Sequence, residues 1–174
     1  MPFTLFHAGP SALIALPLKK YIDIPVFILS NVIIDLEVLI VMLTGVSFYQ
    51  DSGLHPIAHT FTYGSIIALA WGGFAIMLRN PLTALMTEFR LDYQTNKIKI
   101  LTSALFGFWF HLLLDCLYHY DMHPFYPFTM DNPLKLFKDG SWVVEFCSIS
   151  FIPAIIIYII LVVRRSKKIS QESK

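Results

Sequence analysis

The chain has 174 residues, 56% of them hydrophobic and 14% charged, with a formal net charge of +1 and a mean hydropathy of +0.63. Soluble domains carry about 25% charged residues, so this composition argues against a water-surrounded globular fold and for a chain whose main solvent is hydrocarbon. The near-neutral balance, with basic residues in short groups instead of a stripe, argues against nucleic-acid binding.

The opening Met-Pro-Phe-Thr-Leu-Phe-His has no early basic residue, unlike a secretory signal, so the N-terminus is expected to be retained. A bilayer span takes about 20 mostly apolar residues. The first apolar stretch, Phe3 to Leu18, is shorter than that and is interrupted by Gly9-Pro10 and Pro17, which predicts a tilted or re-entrant segment. Four longer stretches follow: Ile22 to Leu43, Ala58 to Leu78, Ile98 to Tyr118 and Val143 to Val163. Between the middle two, Arg79 to Lys97 mixes Leu82, Leu85, Met86 and Phe89 with Glu88, Arg90 and Asp92, the pattern of an interfacial amphipathic helix. Tyr120 to Ser141 is an irregular loop rich in Pro, Asp and aromatics. Cys116 and Cys147 sit in apolar stretches without ligand spacing and read as buried side chains. The expected fold is an all-α membrane bundle of four to five spans over residues 1–165, with a basic, disordered cytoplasmic tail at 166–174.

Basic residues select the cytoplasmic side. They follow the first segment (Lys19, Lys20), the third (Arg79, Arg90, Lys97, Lys99) and the fifth (Arg164, Arg165, Lys167, Lys168), and only Lys135 and Lys138 dissent. The expected topology in the cell membrane is N-terminus out and C-terminus in. That topology, chosen on Lys and Arg alone, also gathers His7, Asp35, Glu37, His55, His59, His111, Asp115, His119, Asp121, His123 and Glu145 toward the outer face. All six histidines are in that set. Ionisable groups within a span cost several kcal/mol (order of magnitude) unless paired or wetted, and they are functional candidates by default.

His111 and Asp115 stand at i, i+4 on one helical face, and His119 would extend that face. Asn31 and Asp35 share the spacing, as do His55 and His59, although Pro56 favours a loop entering a helix there. Asp35 and Glu37 are two apart, so on a regular helix they point to nearly opposite faces. Imidazole and carboxylate ligands without thiolates suit zinc, manganese or iron, and a mixed shell with open positions is of the catalytic kind. A carboxylate left out of the ligand set, Glu37 or Glu145, would then serve as general base.

At these residues the chain resembles the YdjM-like family of integral-membrane proteins, regarded as metal-dependent hydrolases. The resemblance rests on His7 in Phe-Thr-Leu-Phe-His, the acidic Asp35-Leu36-Glu37 where the family usually reads Pro-Asp-Leu-Asp, the His59-Thr60 step, and His111-Leu-Leu-Leu-Asp115 followed by a Pro-Phe loop. Ile34 and Glu37 depart from the family pattern. That family is similar in turn to zinc-dependent phospholipases C and P1-type nucleases, which implies a phosphoester or lipid-like substrate. Carried over, the resemblance implies His7, Asp35, His59, His111 and Asp115 as metal ligands, with His119, His123 and Glu145 as further candidates. The leading expectation is a membrane-embedded hydrolase using a zinc-activated water, with membrane lipid as its surroundings. Two other readings stand beside it: a small metal or proton transporter, disfavoured by the apolar inner halves of the last three spans, and a structural protein whose polar groups only satisfy one another.

Overall fold

The computed structural model describes residues 4–36, 57–119, 121–136 and 139–172, and these are all helix, turn and loop, with no strand among the described residues. A short 3-10 turn, Thr4–His7, leads into α1 (Ala8–Ala15), and α2 follows at Ile24–Ile33. A second 3-10 turn, Ile57–His59, precedes α3 (Phe61–Met77), then α4 (Arg79–Glu88) and α5 (Lys97–Tyr118). The chain finishes with α6 (Ser141–Ile149) and α7 (Phe151–Glu172).

Small polar residues set three of the helix starts by accepting first-turn amides that have no partner within the helix. Asp23 accepts from Val26 N (3.3 Å), Thr60 from Tyr63 N (3.1 Å) and Asn96 from Lys99 N (2.9 Å). Helix α4 ends differently. Arg90 takes a left-handed φ of 53°, with Arg90 N bonded to Thr87 O (2.9 Å) and Leu91 N to Met86 O (3.0 Å). This is a Schellman closure with arginine where glycine is usual, and its characteristic apolar contact is made by Leu91 and Met86, both buried in one cluster.

Helix α5 is the central element, packed against α3 and α2. Its buried residues include Ile100, Ala104, Gly107, Phe108, His111 and Asp115, a continuous helical face. Close approach depends on missing side chains. A Cβ on Gly107 would stand 2.6 Å from Phe27 O, and one on Gly64 would stand 2.4 Å from the Phe108 ring. Phe108 is fully buried there. Trp109 donates to Ser65 Oγ (2.9 Å), tying α5 to α3.

Two helical runs among the described residues are long and apolar enough to cross a membrane, Lys97–Tyr118 and Ser141–Gln171. A third exists if α3 and α4, bent by 76°, are taken as one. Four to five spans were expected, and the difference has local causes. The Phe3–Leu18 stretch holds only one 3-10 turn and the eight-residue α1, about 12 Å of α-helix at 1.5 Å per residue. The Ile22–Leu43 stretch is described only to Leu36. The amphipathic stretch from Arg79 closes at Glu88, cut short by the Arg90 turn. At the other end α7 stays helical to Glu172, through the segment expected to be a disordered tail. Its Ile152, Ile155, Ile156, Ile159, Ile160 and Val163 are exposed, an apolar stripe suited to hydrocarbon.

The three basic groups meet at one end of the bundle. Lys99 Nζ donates to Lys19 O (2.6 Å), while Lys19 Nζ and Arg165 Nε flank Asp92 at 3.7 and 3.2 Å. Buried Asp23 accepts from Thr95 and from Tyr93 (2.7 Å) at the same end. Burial and that bond to Asp23 push the Tyr93 hydroxyl above its ordinary pKa, so it stays a donor. Lys135, one of the two dissenting lysines, acts locally. Its ammonium donates to Leu117 O (2.9 Å) and Tyr118 O (2.6 Å), closing the carbonyl end of α5. Lys138 lies outside the described residues.

Candidate metal centre

Four separated stretches of chain deliver polar side chains to one buried point. His7 closes the first 3-10 turn, where Ser11 Oγ bonds its carbonyl (2.6 Å). Asp35 lies just beyond α2, and His59 closes the second 3-10 turn, directly before the Thr60 cap of α3. His111 and Asp115 project one turn apart from the buried face of α5. None of the five is more than 5% exposed.

Asp35, His59, His111 and Asp115 form a ring in which acid and imidazole alternate. His59 Nε2 is 3.2 Å from Asp35 Oδ1 and 3.8 Å from Asp115 Oδ2, while His111 Nε2 is 3.4 Å from Asp35 Oδ1 and 3.1 Å from Asp115 Oδ2. All four ligand atoms lie within 4.8 Å of one another. An ion about 2.0–2.2 Å from each of four tetrahedral ligands sets those ligands roughly 3.3–3.6 Å apart, the range about which the observed edges scatter. Charge bears on the same point. Two carboxylates in a dry interior are costly unless compensated, and either a divalent cation or protonated imidazoles would compensate them. The group can hold a metal ion.

His7 stands beside this ring. Its Nε2 is 3.5 Å from Asp115 Oδ1, its ring meets that of His111 edge-on at 4.3 Å, and neither ring nitrogen makes a hydrogen bond to a described residue. Asp115 Oδ1 and His111 Nδ1 are likewise buried without a hydrogen bond among the described residues. Buried polar atoms are normally paired, so this concentration of unpaired ones fits an ion or water site. Asn31 adds a feature that the spacing argument left unused: its Nδ2 bonds Phe27 O (2.8 Å), but its fully buried Oδ1 has no partner among the described residues. Its i, i+4 relation to Asp35 within an apolar stretch was the signal for it.

The other candidates lie elsewhere. His119 does not extend the His111–Asp115 face, because α5 ends at Tyr118 and His119 is already extended, with Nδ1 3.8 Å from Asp121. His123 is tied through Nδ1 to the carbonyl of Met130 in the loop that follows. Glu145 is on the exposed face of α6, opposite the buried Val143 and Cys147. Glu37 and His55 lie outside the described residues. The loop after α5 docks beside α3 and α5: Phe61 N bonds Pro124 O (2.8 Å), and fully buried Met122 packs with Leu112 and Cys116, the sequence neighbours of His111 and Asp115.

No family model, curated protein or solved structure matches this chain.

Proposed function

We propose that this chain is an integral-membrane, metal-dependent hydrolase whose centre opens to the outer face and acts on a phosphoester or lipid-like substrate. The observation that carries the reading is the buried ring of Asp35, His59, His111 and Asp115 inside a strongly apolar helical chain. Groups this costly to bury are retained in a span when they bind or react.

The proposed orientation, with the opposite end of α5 toward the cytoplasm, is supported by the lysines and arginines gathered there. The substrate class rests on the resemblance to the YdjM-like family and, through it, to zinc-dependent phospholipases C and P1-type nucleases. A bound divalent ion supplies a water of lowered pKa and positive charge for a developing oxyanion. Asp35, His59, His111 and Asp115 hold the ion, preferably zinc. His7 Nε2, unbonded beside Asp115 Oδ1, acts as a further ligand or accepts a proton from a neighbouring water. Met122 and the loop around Pro124 keep bulk water from the ligands.

The contending reading is a purely structural hydrogen-bond network, favoured by the two shortest edges, 3.1 and 3.2 Å, which are ordinary hydrogen-bond lengths. Metal content separates the two. Detergent-purified wild type, prepared without chelators, is expected to carry stoichiometric zinc, manganese or iron by elemental mass spectrometry. Monodisperse His111→Ala and Asp35→Asn variants are expected to lose it, together with hydrolysis of a chromogenic phosphodiester. A metal-free wild type, even after incubation with each ion, establishes the network reading instead.

A further inference from the structure

The far end of the bundle contains a pair of adjoining cavities that the metal centre does not use. The first, of about 230 Å³, is lined by Lys19, Lys20, Asp92, Gln94 and Lys99. The second, of about 270 Å³, is wholly apolar, with Leu16, Ile24, Met86, Leu91, Ala154 and Tyr158 among its walls.

The two share their framework. Leu16 and Lys19 belong to one connection between α1 and α2, and Leu91 and Asp92 are consecutive. Arg165 spans the junction, donating from Nη1 to Leu91 O (2.7 Å) while its Nε faces Asp92 at 3.2 Å. Tyr158, two turns earlier on α7, lines the apolar cavity and donates to Phe89 O (3.1 Å). An apolar slot and a basic one therefore share chain connections at this end of the helices.

From this juxtaposition we infer an anionic-phospholipid site, with the phosphate headgroup held by Lys19, Lys20 and Lys99 and an acyl chain laid in the apolar slot. Three features select that occupant. Four cations, the three lysines and Arg165, face two carboxylates, Asp92 and Asp23, and Asp23 is already committed to Val26, Tyr93 and Thr95. Lys99 is held in place by two of its three ammonium donors, on Lys19 O and Gln94 O (2.7 Å), which leaves the third for a ligand. The apolar slot contributes no polar lining, so it has nothing to offer a soluble anion but suits a hydrocarbon chain. Basic pockets between helix ends at a membrane surface recognise phosphate headgroups through the same combination.

The site lies at the Lys99 end of α5, twelve residues and about 18 Å from His111 along the helix, so it can be perturbed without touching the metal ligands. Native mass spectrometry of the full chain, delipidated in neutral detergent, tests it with phosphatidylglycerol, phosphatidylcholine and inorganic phosphate as probes. One phosphatidylglycerol is expected to bind at least about tenfold more tightly than phosphatidylcholine, and a Lys19→Gln/Lys20→Gln variant is expected to lose that preference. Lys20 is exposed and Lys19 is half-buried with its ammonium 3.7 Å from Asp92, so circular dichroism and monodispersity verify that the variant is folded. Ile155→Gln, at a half-exposed position lining the slot, is expected to weaken both lipids together. Equal binding of the two lipids, or an unchanged preference in the lysine variant, overturns the assignment. Displacement of phosphatidylglycerol by an equal concentration of inorganic phosphate also overturns it, because the slot would then contribute nothing.

Discussion

Replacing Gly107 with alanine puts a methyl group where α5 presses on α2, one turn below His111. The new Cβ would stand 2.6 Å from Phe27 O and 2.9 Å from Ser30 Cβ, against at least 3.4 Å for an ordinary contact, a shortfall of about 0.8 Å at the carbonyl. That neighbour is backbone, so no side-chain rotation relieves the clash and the helices must part. Helix α2 leads directly into Asp35, whose Oδ1 stands 3.2 Å from His59 and 3.4 Å from His111. A retreat of that size carries both distances to about 4 Å, past the longest edge of the ring as it stands, 3.8 Å. Overpacking of this kind costs about 1–3 kcal/mol, or roughly 2–12 °C in melting temperature for a chain of this length. Gly73→Ala is the matched control, since its Cβ meets nothing within 4 Å. Fluorescence-detected thermal unfolding in detergent and metal content, run on both variants, check the argument. If Gly107→Ala melts with Gly73→Ala and keeps its metal, the α2–α5 contact does not set the geometry of the site.

Metal occupancy is also expected to fall with acidity. Imidazole binds a metal only when neutral, so protons compete with the ion as pH drops. Apparent affinity in a competition assay with a zinc dye is expected to be full at about pH 7.5 and to weaken steadily toward about pH 5.5, and occupancy that is flat across that interval would count against histidine ligation. Relief of the left-handed arginine after α4 is the third expectation. Arg90→Gly removes a side chain from φ 53° while leaving both Schellman bonds in place, and is expected to stabilise the chain by about 1 kcal/mol. A melting temperature equal to or below wild type would refute it.

The helical class was legible in the chain because composition and apolar run length are local properties. So were the spans at Ile98 to Tyr118 and Val143 to Val163, which appear as α5 and the α6–α7 run. The cluster of Asp35, His59, His111 and Asp115 was legible for a related reason: in a chain with only 14% charged residues, an ionisable group inside an apolar stretch is conspicuous. His119 misled because i, i+4 spacing was extended past the end of a helix. Glu145 lay beyond what spacing can decide, since only packing shows that α6 turns Val143 and Cys147 inward and leaves Glu145 outside. Lys135 looked like an exception to the charge rule until the fold showed it capping α5.

By itself the sequence determined which residues are too polar for hydrocarbon and which runs are too apolar for water, because transfer free energy belongs to each side chain. The tertiary structure alone decided which polar residues meet. His7, Asp35, His59 and the α5 pair are far apart in the chain, and their faces come together only where Gly64 and Gly107 let α3 and α2 approach α5 closely. The same packing brings Lys19, Asp92, Lys99 and Arg165 to one end beside an apolar slot. Convergence of that kind depends on contact distances between helices, which no local pattern of residues encodes.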